Sequence, residues 1–351
     1  MLNEWAGPVE GIPESGTDAR AASGASVRRM IAPITIEDVR AARERIKPYL
    51  EPSPLRRYAT LDAEVGHGIR VLVKHDNHLP TNAFKARNAM SFMTALSPEQ
   101  RAHGVVAATR GNHGAGLAWA GELLGVAVTI CVPHGNNPEK NAAMRGYGAT
   151  LLEHGRDYDE AAARATELVA ERGLVLAHST NDRNVIAGAG TLFAELHEQA
   201  ESLDAIVVAV GGGSQAVGAI VTTAEHRPGM PIYGVQATTA AAAHDSWHAK
   251  RRLTVASAST FADGLATRAT YDLTWPTIAE GLAGFVAVPD PALAAAIRML
   301  LRTTHNLAEG AGAAGLAGLI ALREQLAGKT VAVVLSGANI DAATLRTVLD
   351  G

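Results

Sequence analysis

From about residue 105 onward, short apolar runs rich in β-branched residues alternate with helical stretches of roughly nine to fifteen residues. That alternation allows few folds. The runs at 105–108, 126–132, 151–153, 174–177, 205–210, 232–235 and 331–335 read as strands, and the stretches at 114–124, 138–147, 158–171, 185–199, 214–225 and 341–349 read as helices. Strand–helix–strand units of this kind build a mostly parallel sheet. The runs at 205–210 and 331–335 are apolar at every position, as expected of strands covered on both faces. Ligands of such sheets bind beyond the carboxyl ends of the strands, so the loops that follow strands carry the functional information. Upstream, Thr35-Ile36-Glu37-Asp38 reads as the start of a helix that runs to about Ile46, before Pro48, and Val71-Leu72-Val73 reads as a strand.

Composition narrows the function by exclusion. The chain has 351 residues, a length that suggests two domains or one large α/β unit. A net charge of −4 without a long basic run gives no support to a nucleic-acid or membrane-surface role. No apolar stretch approaches the roughly 18 residues that span a bilayer. Cys131 is the single cysteine, so no internal disulfide is possible. It reads as a buried core residue in a reducing, cytoplasmic setting. The first thirty residues include Glu4, Glu10, Glu14 and Asp18 and lack an apolar segment, which argues against a targeting peptide and for a loosely ordered tail.

Four stretches carry candidate chemistry. In Pro80-Thr81-Asn82-Ala83-Phe84-Lys85-Ala86-Arg87, Lys85 stands between a strand and a helix, with Met90, Met93 and Leu96 following at helical spacing. On its own it is either a solvated helix-terminus lysine or an amine made nucleophilic by burial. Thr109-Arg110-Gly111-Asn112-His113-Gly114 joins a strand to a helix N-terminus, where an anion can be held, although a glycine turn with an Asn cap reads equally well. Gly211-Gly212-Gly213-Ser214 follows a buried strand and lets the backbone wrap a phosphate. A nicotinamide reading fits Gly211, Gly213 and Ala216 loosely, but the next strand ends in Val235-Gln236 without the acid that a ribose requires. In Ser336-Gly337-Ala338-Asn339-Ile340-Asp341, Ser336 is placed to meet a heterocycle nitrogen and Asp341 to cap the last helix.

With Ser53-Pro54-Leu55, Tyr147-Gly148-Ala149, Ile186-Ala187-Gly188-x-Gly190-Thr191, Ala262-Asp263-Gly264 and Glu309-Gly310-Ala311-Gly312-Ala313, these stretches agree in order and spacing with one family. The chain resembles the serine/threonine dehydratases among fold type II pyridoxal-phosphate enzymes. The resemblance implies a tryptophan synthase β-like α/β fold of two open, twisted, mostly parallel-sheet domains. Residues 31–80 and 185–351 would form the large cofactor-binding domain, 81–184 the small one, and 1–30 the tail. It implies pyridoxal 5′-phosphate on Lys85, which would form the Schiff base and move the α-proton. Gly211, Gly212, Gly213 and Ser214 would cradle the phosphate, Asn112 would meet the 3′-oxygen, Ser336 the pyridine nitrogen, Phe84 would flank the ring, and Glu309 would lie on its pyridine side. Thr109, Asn112 and His113 would surround the substrate carboxylate. A serine rather than an aspartate at the pyridine nitrogen leaves the ring a weaker electron sink, which suits loss of a β-hydroxyl. The implied activity is elimination of water from a β-hydroxy-α-amino acid to give a 2-oxo acid and ammonia, in a homodimer. The rivals are a β-replacement synthase and a non-catalytic binder of cofactor or amino acid.

The chain departs from the family at defined places. Asn82-Ala83 stands where the family reads Gly-Ser, which favours a substrate other than plain threonine, such as 3-phenylserine or 3-hydroxyaspartate. Arg110 occupies the position of the serine that racemases of the family use on the opposite cofactor face. Arginine stays protonated and is a poor base, so racemisation is not expected, and Arg110 is read as reaching a substrate group or forming a surface ion pair. Gln236 and Ala242 stand where cation-responsive relatives carry acids, so no metal is expected. The pairs His75/His78 and His244/His248 are read as solvated histidines.

Overall fold

The structure, a computed structural model, describes residues 32–351, and the stretch read as a tail lies outside them. The first described helix, Ile36–Ile46, begins where the sequence places it. Thr35 and Asp38 close a reciprocal capping box that satisfies donors at the helix start.

Among the described residues, ten strands segregate into two sheets. They are β1 Leu55–Arg57, β2 Arg70–His75, β3 Val105–Ala108, β4 Val128–Val132, β5 Thr150–Glu153, β6 Val175–Leu176, β7 Ala205–Ala209, β8 Ile232–Ala237, β9 Gly284–Val288 and β10 Thr330–Leu335. The larger sheet has the order β1-β2-β10-β7-β8-β9 and is parallel except for the edge pair β1–β2. The smaller, β5-β4-β3-β6, is parallel throughout. The expected α/β class with mostly parallel sheets is therefore observed. β7 and β10 are buried almost throughout, in keeping with their unbroken apolar sequence.

Most boundaries shift by a residue or two, and two of the shifts have local reasons. The strand read from residue 126 starts at Val128, because Val126 N–H is taken by Gly121 O at the end of the preceding helix. β6 shrinks to two residues at the edge of the smaller sheet. The alternation read from sequence also omits β9 and the helices Asp290–Thr304 and Gly310–Ala321, which complete the larger sheet and its cover.

The helix Lys85–Ala95 lies between the two sheets' helical layers. Glycine makes this packing possible: a Cβ on Gly116 would sit 2.8 Å from Lys85 O, and one on Gly188 would sit 2.6 Å from Arg87 O. Helices Asn112–Leu124 and Arg183–Gln199 thus approach the lysine helix backbone to backbone. Its far side is held by buried ion pairs. Arg87 is fully buried and donates to Asp76 (2.8 and 3.1 Å) and to Glu195 (2.5 and 2.7 Å). Lys74 Nζ donates to Glu195, Ser53 O and Gln199 at 2.7–2.9 Å, and Ser53 Oγ donates to Asp76 at 2.6 Å. Although burial opposes it, the Asp76 and Glu195 carboxylates raise the Arg87 pKa further above its ordinary value. Two cations and two carboxylates cancel, and sheet, lysine helix and neighbouring helix are locked together.

The histidine pairs differ from expectation. His75 is buried, bonded to Tyr58 Oη (2.9 Å) and stacked on His78, and burial pushes its pKa down to about 4. His244 bonds to Asp245 and His248 to Phe285 O, so neither is simply solvated. Tyr58 and the Phe285 carbonyl, the partners of His75 and His248, lie far off in sequence, where a spacing argument cannot show them. Gln236 is buried and accepts the N–H groups of Ala243 and His244. Cys131 lies in the core, where burial raises its pKa.

Candidate active site

The carboxyl ends of β10, β7, β3 and β6 converge on Lys85, the first residue of its helix. The lysine loop is fixed by the loop after β10. Ala83 bridges Gly337, Phe84 N–H donates to Ser336 O (2.9 Å), and Ala338 N–H donates to Asn82 O (2.9 Å). Asn82 takes a left-handed φ of 52°, a conformation that asparagine tolerates better than most residues, and its side chain is exposed.

Lys85 has no ion pair among the described residues. Its Nζ donates to Ser179 O at 2.8 Å and lies 5.0 Å from the Phe84 ring centroid. Burial alone pulls its pKa down to about 8. Across the cleft, Gly213 has φ +99° and caps the helix Ser214–His226, whose first-turn N–H groups have no intrahelical acceptor. The glycines before that helix leave no room for side chains: a Cβ on Gly211 would lie 2.0 Å from Gly264 O, and one on Gly212 would lie 2.1 Å from Thr180 Oγ1. This bare turn at a helix N-terminus is the geometry that accepts a phosphate. Ser214 and Ser336 are both buried, and the Ser336 hydroxyl has no hydrogen bond among the described residues.

The Asn112 loop is more committed than its sequence suggests. Asn112 Nδ2 donates to Glu309 Oε1 (2.6 Å) and its Oδ1 accepts from Asn339 (2.8 Å), which leaves one amide N–H. Burial raises the Glu309 carboxyl pKa, opposed by Lys140 and Asn112. His113 Nε2 lies 2.9 Å from Ala177 O, and since a carbonyl only accepts, the ring proton sits there. Its Nδ1 is a buried acceptor without a partner, and burial, then Lys85, hold its pKa down to about 3. Thr109 Oγ1 accepts Gly111 N–H at 3.1 Å. Arg110 is exposed, and its side chain makes no ion pair among the described residues.

Sequence reasoning missed several groups here. Asn88, one turn beyond Lys85, donates to Ser214 Oγ at 3.5 Å. Asn88 Oδ1, Thr81 Oγ1 and both amide atoms of Gln215 are buried without partners. The turn at His178–Asn181 faces Lys85 from the end of β6, and the strand-end rule could have found it. Lys140–Asp263 and Arg268–Asp159 ion pairs link the helices of the smaller sheet to the 263–268 segment. A cavity of about 240 Å³ lies beyond Asn112, lined by Asn82, Lys140, Tyr147 and Asn339 among others, but not by Lys85 or the glycine turn.

An amine depressed by burial, a bare anion-accepting turn and an uncommitted serine hydroxyl fit the aldehyde, phosphate and ring nitrogen of a pyridoxal-phosphate group. The comparisons agree. The family model described as "Pyridoxal-phosphate dependent enzyme" matches residues 46–337. An L-threonine ammonia-lyase of Geobacter sulfurreducens is 39% identical over 284 residues, covering 81% of this chain and 70% of the relative. The processed form of threonine deaminase isoform 2 from Solanum lycopersicum superposes with a TM-score of 0.85 at 30% identity, covering 90% of this chain and 91% of that one. Maize serine racemase gives 0.84 at 29% identity, covering 91% and 97%.

Proposed function

Since this chain belongs to the pyridoxal-phosphate dependent enzyme family, with the fold of its type II members, we propose that it is an ammonia-lyase that dehydrates a β-hydroxy-α-amino acid to a 2-oxo acid and ammonia. One observation carries the assignment. Lys85, half-buried in the cleft, has no carboxylate partner among the described residues, and burial draws its pKa to about 8, close to neutral. An amine so tuned serves both as nucleophile toward an aldehyde and as general base.

When bound, the cofactor supplies the electron sink that weakens the substrate's Cα–H bond. Around it, the glycine turn and Ser214 would hold the phosphate, Ser336 would meet the ring nitrogen, and Phe84 would flank the ring. Glu309 and Asn112 fill the edge of the ring site. Lys85 Nζ takes the α-proton. Thr109 and the remaining Asn112 N–H are donors for the substrate carboxylate, whereas His113 Nδ1 is an acceptor and shapes the wall. Arg110, exposed at the rim, reaches toward a polar group on the substrate. We extend the proposal to a homodimeric cytoplasmic enzyme whose residues 81–184 form the smaller domain. The buried single cysteine suits that compartment, and no helix among the described residues is long and apolar enough to cross a membrane.

The test is a panel of serine, threonine, 3-hydroxyaspartate and 3-phenylserine offered to the cofactor-loaded protein, with 2-oxo acid and ammonia measured. Release from one member is expected and identifies the side chain. A visible cofactor band with no 2-oxo acid from any member would overturn the dehydratase reading. Consumption of an added thiol or indole would then indicate a synthase, and no turnover a binder.

A further inference from the structure

The turn after β6 plays no part in the chemistry described so far. His178 Nδ1 accepts two backbone donors, Thr180 N–H at 3.1 Å and Asn181 N–H at 2.8 Å. A ring nitrogen that accepts two N–H groups bears no proton, so the imidazole is neutral with its hydrogen on Nε2. Between these contacts Ser179 turns its carbonyl onto Lys85 Nζ. Thr180 then abuts Gly212, Asn181 Oδ1 accepts Leu273 N–H at 3.0 Å, and Asp182 caps the helix Arg183–Gln199. Consecutive residues of one turn therefore touch the lysine, the glycine turn and the wall at 271–274.

We infer that His178 is a positioning residue for Lys85: it organises the turn whose Ser179 carbonyl holds the Lys85 amine whenever that amine is not covalently engaged. The inference rests on the proposed role of Lys85. That role requires the amine to be free for part of each cycle, and a free lysine on four rotatable bonds needs a fixed acceptor to stay aimed. Ser179 O is that acceptor, and the turn gathered on His178 Nδ1 aims it.

The groups facing His178 set its response to acid. The Tyr271 ring meets it edge-on with centroids 5.3 Å apart, and Tyr158 bonds to Ser179. Lys85, His113 and Asp182 are the titratable neighbours that act on it or feel it. Burial, then Lys85, lowers its pKa, and Asp182 opposes them. A proton arriving at Nδ1 would set a donor against two donors and add positive charge beside Lys85. Acid should therefore release the turn and, with it, the amine.

The test compares wild type with His178→Leu, which removes the acceptor, and His178→Asn, whose side-chain oxygen can accept the same two N–H groups in an Asx-type turn. Two readouts are taken: the rate at which apoprotein develops the visible cofactor band between pH 5.5 and 9, and turnover with α-deuterated substrate. For H178L we expect loading and kcat to fall on the order of tenfold to a hundredfold. KM should change less than about threefold, with a larger isotope effect because proton transfer becomes slower. H178N should recover to within about threefold of wild type and load with a shallower acid fall-off, one ionisation having gone. Wild-type loading and isotope effect in H178L, or an H178N as impaired as H178L, would overturn the inference. Should H178L fail to fold, a wild-type acid fall-off in H178N overturns it alone. Lys85→Ala separates the two levels: a band and turnover surviving there would sink the lysine assignment itself.

Discussion

Lys85 and Arg87 stand two residues apart on one helix, and their surroundings are opposites. Arg87 has every donor direction met by Asp76, Glu195, Ser53 or Thr191, inside a cluster of equal and opposite charges. Lys85 has one carbonyl, and around it Asn88, His113 and Gln215 carry buried polar atoms with no partner. Buried polar groups are normally bonded, so a saturated cluster signals architecture, whereas the open donors and acceptors around Lys85 are groups able to take up a polar ligand. The same contrast separates rigid frame from reactive centre within a single turn of helix.

The sharpest way to break this contrast is to unbalance the saturated side. Arg87→Leu leaves Asp76 and Glu195 with Lys74 as their only buried cation. We expect a loss of about 3–5 kcal/mol, read as a lower urea midpoint of the apoprotein. An unchanged midpoint would mean that the cluster is not what holds the frame. A smaller effect is expected on the unsaturated side. Gly212→Ala sets a Cβ against Thr180 Oγ1, so the turn must shift: the apoprotein should lose about 1 kcal/mol of stability and cofactor binding should weaken by more, up to about 3 kcal/mol, as titration of the visible band would report. Equal losses of stability and binding would erase the distinction between the regions.

The mildest probe is pH. His75 and His197 are held near 4 and His113 near 3, each chiefly by burial, whereas the unfolded chain protonates histidine near about 6.5. Between those values the unfolded state binds more protons, so stability should decline gradually as pH falls from neutral toward 4. Lys85 shifts in the same direction. Its neutral form grows as pH rises through about 8, and cofactor loading should accelerate there. A flat urea midpoint between pH 7 and 5 would contradict the buried neutral histidines.

Much of this was legible in residue types. The alternation of apolar runs and helices indicated mostly parallel sheet, its division into two was implied only by the family resemblance, and Thr35 with Asp38 announced a capped helix. The glycine run, Lys85 and Ser336 each stood at a strand end. What stayed hidden were contacts made by main chain or set by three-dimensional closeness. The Ser179 carbonyl has no signature in the letter serine. The need for Gly212 became visible only once Thr180 was seen against it. His75 looked like one of a solvated pair because spacing along a chain says nothing of the Tyr58 side chain across it. Asn82 was read only as a departure from the family's glycine, and the left-handed backbone and exposed side chain that it has here could not be seen in the sequence.

The bridge between Ala83 and Gly337 has a bearing on how the protein is made. The loop that aims Lys85 is seated on a segment about 250 residues later in the sequence, so everything between the two must be synthesised before that seat exists. Contacts so distant in sequence form late, after the local βαβ units have condensed. A nascent chain would carry the reactive lysine long before it could present it to a cofactor. Loading is thus expected to follow the synthesis of β10, with cofactor capture reporting that this strand has docked.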